Sequence, residues 1–350
     1  MIKYCRYCDI VIPNKSRQWS SQIYCTARCR KYDHRKNKSL LTRVERKRAN
    51  LLQNDEMLYL IKQCKRAKTV EILKGHTLDS FIETIDLVKN RPAGDVMLCH
   101  IVPVKGEGVT GLFHCRNLFY GGSYQNRKLS QKYFSGGLSI SNNELLQKWK
   151  VTSGMKNNEV LLMIEEYLKD VISEYILVRP VRKSKKVKVV EKIISLDESV
   201  RFDELITYSY SSLQKQWAAI SRSNNYAIGP AIESKYLAYM DGLTRFISYG
   251  GERAVMLKRL RRIMVVGYMS LERVKRSQTY NKYFYVKYEP LINKKYGQAM
   301  LRDADDWAVL KDIIYNCAFN VLQGDVVDIK RFRKLVMSFL VFPEKAYSIW

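Results

Sequence analysis

Four cysteines near the start of the chain limit its fold more than any other feature. Cys5 and Cys8 form a C-x2-C pair, and after sixteen further residues Cys25 and Cys29 form a C-x3-C pair. Each short spacing lets two thiolates hold one ion, and four thiolates complete a closed tetrahedral site of the kind that binds structural zinc. Residues 1–37 contain too little core to fold alone, so we predict that a zinc ion folds them.

This cysteine pattern resembles treble-clef zinc fingers, which often accompany phage nucleases. With four cysteines present, His34 is expected to be a surface residue and not a ligand. The alternative is that the four thiols are unrelated. The remaining cysteines are scattered, which indicates reduced thiols in a cytosolic compartment and not a disulfide framework; they are Cys64, Cys99, Cys115 and Cys317.

The charge of the chain favours a polyanionic partner. Its 350 residues carry a formal net charge of +27, and nucleic acid is the usual partner of so basic a protein. Residues 1–50 are the densest part, with 14 Lys and Arg against 3 Asp and Glu. We therefore expect phosphate contacts from a set of cations just after the cysteines, although a solvated charged linker is the alternative; the set is Arg30, Lys31, Arg35 and Lys36.

The sequence of residues 96–128 predicts a strand, a loop, a strand and a helix in little more than thirty residues. An apolar run enters His100 within the letters HIVP. Asn117 precedes a leucine at the end of the loop, and Asn126 follows nine residues later in the predicted helix. Three cations flank these positions and are expected to hold phosphates or to be ordinary surface charges; they are Arg116, Arg127 and Lys128.

This order of residues resembles the HNH nucleases, also called His-Me finger or ββα-metal nucleases. The resemblance implies that His100 is the general base that activates water, and that Asn117 orients its imidazole. It also implies that Asn126 ligates one catalytic Mg²⁺ beside the scissile phosphate. A neutral imidazole can accept a proton near pH 7, and a hard cation stabilises charge on the leaving oxygen.

One position departs from the family pattern. Cys99 stands where many members carry an acid or a second histidine that helps to hold the metal, and a thiolate is a poor ligand for magnesium. The nearby carboxylates, Asp95 and Glu107, do not occupy that position. His114 competes with His100 for the role of base, but His100 is preferred because it closes a β-like run.

The expected fold class is α+β, with a small N-terminal zinc finger, a ββα-metal nuclease core and an α-rich C-terminal region. The nuclease core is predicted from the resemblance, and the parts that flank it are predicted from shifts in composition along the chain. Five segments are predicted: a four-cysteine zinc finger (1–37), a basic helical connector (38–90), the nuclease core (91–137), a helical segment with a basic linker (138–195) and an α-rich basic domain (196–350).

Two basic stretches allow more than one structure. Residues 179–192 carry seven cations with alternating valines, which favours an exposed linker or a strand pair lying on DNA. Residues 276–288 interleave cations with aromatic rings, which suits base stacking or an edge strand.

Two functions follow from these features. The first is a metal-dependent endonuclease that hydrolyses DNA phosphodiesters, of the phage homing or recombination type. The second is a non-catalytic nucleic-acid-binding protein with a degenerate HNH fold. RNA is an alternative partner in either case. A cytoplasmic location (the host cytoplasm if the chain is phage-encoded) is expected, because no signal pattern or membrane-spanning run is present.

Overall fold

A computed structural model describes residues 2–14, 19–92, 94–129, 132, 134, 136–221, 235–274 and 281–342. Across these residues the fold is mixed α+β, rich in helix, with three small two-stranded antiparallel sheets. The α+β class is therefore confirmed. The chain divides into two compact units, Met1–Leu58 with Ile172–Asn225 and Tyr59–Val171 with Tyr226–Trp350. Each unit joins pieces that are far apart in the chain, which a division into successive segments does not anticipate.

The helices are α1 (Ala27–Ala49), α2 (Asp55–Ala67), α3 (Leu78–Lys89), α4 (Ser123–Leu129), α5 (Asn157–Leu168), α6 (Asp170–Val178), α7 (Lys185–Ile194), α8 (Phe202–Leu205), α9 (Tyr210–Ser221), α10 (Lys235–Ser248), α11 (Glu252–Val274), α12 (Lys282–Tyr288), α13 (Lys294–Gly297), α14 (Trp307–Leu322) and α15 (Ile329–Ser338). The strands are β1 (Val96–His100), β2 (Val109–Gly111), β3 (Leu118–Gly122), β4 (Ser139–Ser141), β5 (Met300–Leu301) and β6 (Leu340–Val341).

In the first unit, helix α1 begins where Thr26 caps it: the Thr26 hydroxyl accepts a hydrogen bond from the backbone N–H of Cys29 at 3.1 Å. The sequence of α1 is strongly basic, and most of its cations are exposed. The remainder of this unit contains α7, α8 and α9, whose buried apolar side chains form a small core of Val189, Val190, Ile193, Leu205 and Leu213.

The predicted ribbon or linker at residues 179–192 is wrong from Lys185 onward, where the chain forms helix α7, whereas residues 179–184 form neither helix nor strand. The Ser184 hydroxyl caps this helix by accepting from Val187 N at 2.9 Å. Val187, Val190 and Ile193 are spaced for a helix and are buried on one face. The alternating valines therefore fit helical spacing as well as a strand, and the cap together with the apolar face favours the helix.

In the second unit, β1 pairs antiparallel with β3, from Val96 opposite Gly122 to His100 opposite Leu118, and α4 follows directly. The predicted order of strand, loop, strand and helix is confirmed, with the short strand β2 added inside the loop. Strand β2 pairs with β4. Because side chains alternate along a strand, the side chains of Met97 and Cys99 lie on one face of the hairpin and that of His100 on the other.

The C-terminal helices cover the Cys99 face of this hairpin. Phe119 of β3 packs against Phe319 of α14 with ring centroids 5.5 Å apart, and the backbone N–H of Gly122 donates to the hydroxyl of Tyr239 on α10. Helices α10, α11 and α14 supply most of the buried core in this unit. The hairpin is therefore part of a larger helical core, which covers the Cys99 and Phe119 part of one of its faces.

Two further regions complete the helical part of the fold. Helices α5 and α6 are separate, because the chain breaks at Lys169, whose φ of +51° is left-handed. Within residues 276–288, the part from Lys282 is helix α12, capped by Asn281, so the edge-strand alternative is wrong there. Residues 276–280 lie outside the described residues.

Gly111 gives a stability prediction. A Cβ at this position would lie 1.8 Å from the carbonyl oxygen of Val102, whereas a Cβ at Gly154 would meet nothing within 4 Å. We expect Gly111→Ala to lower the free energy of unfolding by about 1–3 kcal/mol, because the loop backbone must move to admit the methyl group. Chemical denaturation measures the change, with Gly154→Ala as the control; equal stability of the two variants would contradict the described packing.

Candidate metal centre and hairpin site

The four N-terminal cysteines come together in space. Their Sγ atoms all lie within 4.8 Å of one another, with Cys8 to Cys25 at 3.5 Å, Cys25 to Cys29 at 3.5 Å and Cys29 to Cys8 at 3.8 Å. Zinc–sulfur bonds of about 2.3 Å in a tetrahedron separate the sulfurs by about 3.8 Å. The separations therefore suit a single tetrahedral ion, and a zinc ion bound there would cross-link the two cysteine pairs.

Local backbone geometry presents each cysteine pair. After Cys5 the chain turns tightly: Cys5 N donates to Ile10 O at 2.8 Å and Asp9 N donates to Cys5 O at 2.9 Å. Asp9 has a φ of +54°, a left-handed conformation that Asp tolerates better than most residues. The second pair straddles the start of α1, with Cys29 one turn into the helix.

Asp33 supports the metal centre, and sequence reasoning did not identify it. It is almost fully buried although it lies on the basic helix α1. The Tyr24 hydroxyl donates to its carboxylate at 2.7 Å, and the Arg6 guanidinium lies 3.8 Å from it. These contacts join the segment before α1 to the helix itself. The sequence feature that could have identified Asp33 is that it is the one acid among the cations in the first three turns of α1.

Exposed cations lie on α1 beside the metal centre. Arg30, Lys31, Arg35 and Lys36 all have exposed side chains, and His34 is exposed, as predicted for a surface residue. A surface hollow of about 460 Å³ is lined by Ala27, Arg30, Lys31, His34 and Arg35. Their spacing places these five residues on one face of the helix, whereas Lys36 turns onto a different face.

His100 lies at the end of β1, where the sequence predicts a catalytic base. Part of the residue reaches solvent, but its Nε2 atom is buried and has no hydrogen-bond partner among the described residues. The ring lies 5.9 Å from the ring of Phe113. Burial is the main cause that lowers the pKa of His100 to about 3, and the charge of Arg66 contributes less. An imidazole in this state is neutral at pH 7 but is a weak base.

Asn117 holds the loop between the strands of the hairpin. Its side chain is fully buried and makes four hydrogen bonds to backbone groups. Oδ1 accepts from Val102 N at 3.0 Å and Leu138 N at 3.2 Å, and Nδ2 donates to Val102 O at 3.2 Å and Leu112 O at 2.7 Å. None of these four bonds reaches the imidazole of His100. The Asn117 side chain therefore organises the backbone of the loop that surrounds it.

Asn126 lies on α4 against the other face of the hairpin. Its Nδ2 is 3.4 Å from the sulfur of Met97, and Met97 points to the face opposite His100. Asn126 therefore contacts the hairpin on the face opposite the side chain of His100.

The described residues give no support to a magnesium site at Asn126. Across the described residues, the four N-terminal cysteines form the only group of three or more His, Cys, Asp or Glu side chains close enough to hold a metal. Burial raises the pKa of the Cys99 thiol to about 12, so it stays protonated at pH 7. Asp95 is engaged by Lys235 and Ser123. We therefore derive no catalytic step through magnesium.

The remaining predicted residues lie apart. Arg116 is exposed at the loop end of the hairpin, with its guanidinium over the ring of Tyr249 at 5.5 Å. Arg127 and Lys128 are exposed on α4. His114 stacks on the ring of His76 with centroids 4.6 Å apart, and its Nδ1 accepts from the backbone N–H of Arg116 at 3.2 Å.

Comparison with known proteins adds no assignment: no protein-family profile, curated protein or solved structure matches this chain. Among the described helices, none combines the length and the apolar character needed to cross a membrane.

The metal centre predicts a stoichiometry. We expect the purified protein to hold about one zinc ion per chain, because four thiolates in this arrangement form a closed site. Cys8→Ser should lose the zinc and make residues 2–37 sensitive to trypsin, since the module lacks a core of its own. Elemental analysis and proteolysis measure both effects, with Cys64→Ser as the matched control. Protection of this segment in zinc-free protein would contradict the prediction.

The burial of His100 predicts that the stability of the fold depends on pH. Its pKa is lower in the folded chain than the value of about 6.5 expected after unfolding, so the unfolded state binds its proton first as pH falls. The stability that the neutral His100 side chain contributes is therefore complete above about pH 6.5 and is lost as the pH falls toward 3. Over this window the free energy of unfolding decreases by at most about 1.4 kcal/mol per pH unit. We expect His100→Phe to reduce this slope in denaturant titrations at pH 7 and pH 5. An unchanged slope would contradict the burial of Nε2.

Proposed function

We propose that this protein binds duplex DNA through its four-cysteine module and the first turns of α1, without cutting it. One observation carries the proposal: the cysteine cluster lies at the start of a 23-residue helix whose exposed side chains there are mainly cationic. A bound zinc ion would fix the N-terminal end of α1 and so set the direction of its cations. The function is therefore binding in which phosphate contacts provide most of the affinity.

The cations of α1 are not distributed evenly. Arg30, Lys31 and Arg35 share a face, and Asp33, the only acid of residues 27–37, is buried and bonded to Tyr24. That face therefore presents positive charge without a neighbouring carboxylate to compete with phosphate. A face of this kind suits a regular line of phosphates.

Helix geometry favours DNA over double-stranded RNA. The major groove of B-form DNA is about 12 Å wide and admits an α-helix, whereas the major groove of A-form RNA is too narrow for side chains to read. Helix α1 extends for 23 residues and is mostly exposed in its first three turns, so it can lie along or within such a groove.

The proposal predicts which cations of α1 matter. We expect Lys31→Gln/Arg35→Gln to weaken binding to a duplex about tenfold, because two phosphate contacts and their released counterions are lost. The matched control is Lys36→Gln/Arg43→Gln, which removes the same charge from a different face of the same helix. Fluorescence anisotropy with DNA and RNA duplexes measures both. Equal losses of duplex affinity in the two variants would contradict the proposal, and so would a preference of the protein for the RNA duplex.

A metal-dependent HNH-type endonuclease is the second candidate function. It is favoured by the position of Asn117, whose buried side chain organises the loop next to His100. Cleavage would require His100 Nε2 to become accessible to water, because a base must reach the proton that it removes.

A plasmid-nicking assay separates the two candidates. The binding proposal predicts that the full-length protein with added magnesium nicks supercoiled plasmid no faster than His100→Ala does. If the wild-type protein nicks the plasmid and His100→Ala loses most of that activity, the nuclease replaces the proposal of binding alone.

A further inference from the structure

A second cationic site lies among the C-terminal helices, in a groove of about 500 Å³ between α11, the segment 291–296 and α15. Four cations line it in two pairs spaced by three residues. Arg259 and Arg262 stand on α11, and Lys330 and Arg333 stand on α15. Residues three apart on a helix are neighbours, so each wall carries two adjacent positive charges. We name this feature the α11–α15 groove.

No acid lines the groove, and the nearby carboxylate of Asp328 is used as the cap of α15, where it accepts from the backbone of Lys330 and Arg331. The lining of the groove contains no carboxylate, and none of the four cations forms an ion pair with another residue of the described ranges. Arg333 donates a hydrogen bond to the hydroxyl of Tyr296 at 3.1 Å, which leaves its charge uncompensated. All four side chains are exposed. Four adjacent uncompensated cations repel one another, and an anion in the groove would relieve that repulsion.

The groove also has an apolar component. Ile263 and Val266 of α11 are buried, and further apolar side chains are partly exposed along it; these are Leu291, Ile292, Ile329 and Met337. Tyr296 is partly exposed and is the aromatic residue of the lining. The volume is within the range of pockets that hold one small organic group. The groove thus offers positive walls and an apolar, partly aromatic surface between them.

We propose that the α11–α15 groove binds a single-stranded segment of nucleic acid, with phosphates between the two cationic walls and a base against the apolar surface. Four cations exceed what one phosphate needs, which favours a strand over a free nucleotide. A base must leave its stack to reach an apolar recess, and only an unpaired strand does so at low cost. The site is additional to the contacts of α1 and does not depend on them.

The test uses the full-length protein and a fluorescein-labelled single strand of about ten deoxythymidines. Arg262→Gln/Lys330→Gln removes one cation from each wall, and neither side chain is buried. Arg331→Gln/Lys334→Gln is the control, because it removes the same charge from exposed positions of α15 that do not line the groove. Circular dichroism checks that both variants are folded.

We expect the groove variant to bind the strand about tenfold more weakly than wild type, and its salt dependence to fall by about 1.4 in log–log slope, which is two phosphate contacts. The control should stay within about twofold of wild type. Equal effects of the two variants would overturn the proposal. Displacement of the strand by thymidine monophosphate at the same nucleotide concentration would overturn it in favour of a free nucleotide.

The duplex experiment on α1 keeps this proposal separate from the proposed function. If Lys31→Gln/Arg35→Gln weakens duplex binding, and the groove variant binds duplex DNA normally but loses the single strand, both proposals stand. If Lys31→Gln/Arg35→Gln loses neither ligand while the groove variant loses the strand, the proposed function fails and the groove remains.

Discussion

The N-terminal part of this protein depends on four sulfur atoms that lie within 4.8 Å of one another. Residues 2–14 and 19–26 contain little regular structure and few buried side chains, so their own packing cannot offset the entropy of ordering them. A zinc ion cross-linking Cys5 and Cys8 to Cys25 and Cys29 would supply that stability. It would also fix where α1 starts, and α1 carries the densest positive charge of the chain. In this account the metal determines the geometry with which the charge meets a phosphate.

The hairpin of β1 and β3 illustrates how a catalytic pattern and a structural role can share the same residues. Asn117 keeps its loop in place with four backbone hydrogen bonds, which any protein with this loop requires whether or not it cuts DNA. His100 has a buried Nε2, and Asn126 contacts the opposite face of the strand through Met97. The C-terminal helices cover the Cys99 face. Together these features favour a hairpin that serves as part of the core.

The sequence could predict the features that depend on spacing alone. The cysteine pairs and the strand–loop–strand–helix order depend on neighbours in the chain, and the structure bears these out. It could not predict which side chains the C-terminal helices would bury, because the burial of Cys99 depends on α10 and α14, more than a hundred residues away. The valines of residues 187–190 illustrate the same limit, since their spacing fits a strand and a helix equally well.

Positive charge is present in more than one part of the structure. The α1 face and the α11–α15 groove belong to separate compact units, and each presents exposed cations that form no ion pair within the described ranges. A net charge of +27 concentrated in this way suits a protein that contacts nucleic acid in two forms. The two sites differ in shape: one is an exposed helix, and the other is a groove with apolar walls between its cations.

The most direct measurement of the central claim is the affinity for a DNA duplex before zinc removal, after removal by a chelator, and after zinc is returned. If the metal holds α1 in its binding position, affinity falls when zinc is removed and recovers when zinc is restored. Unchanged affinity in the zinc-free protein would contradict the account, because the cations of α1 would then act without the cysteine cluster.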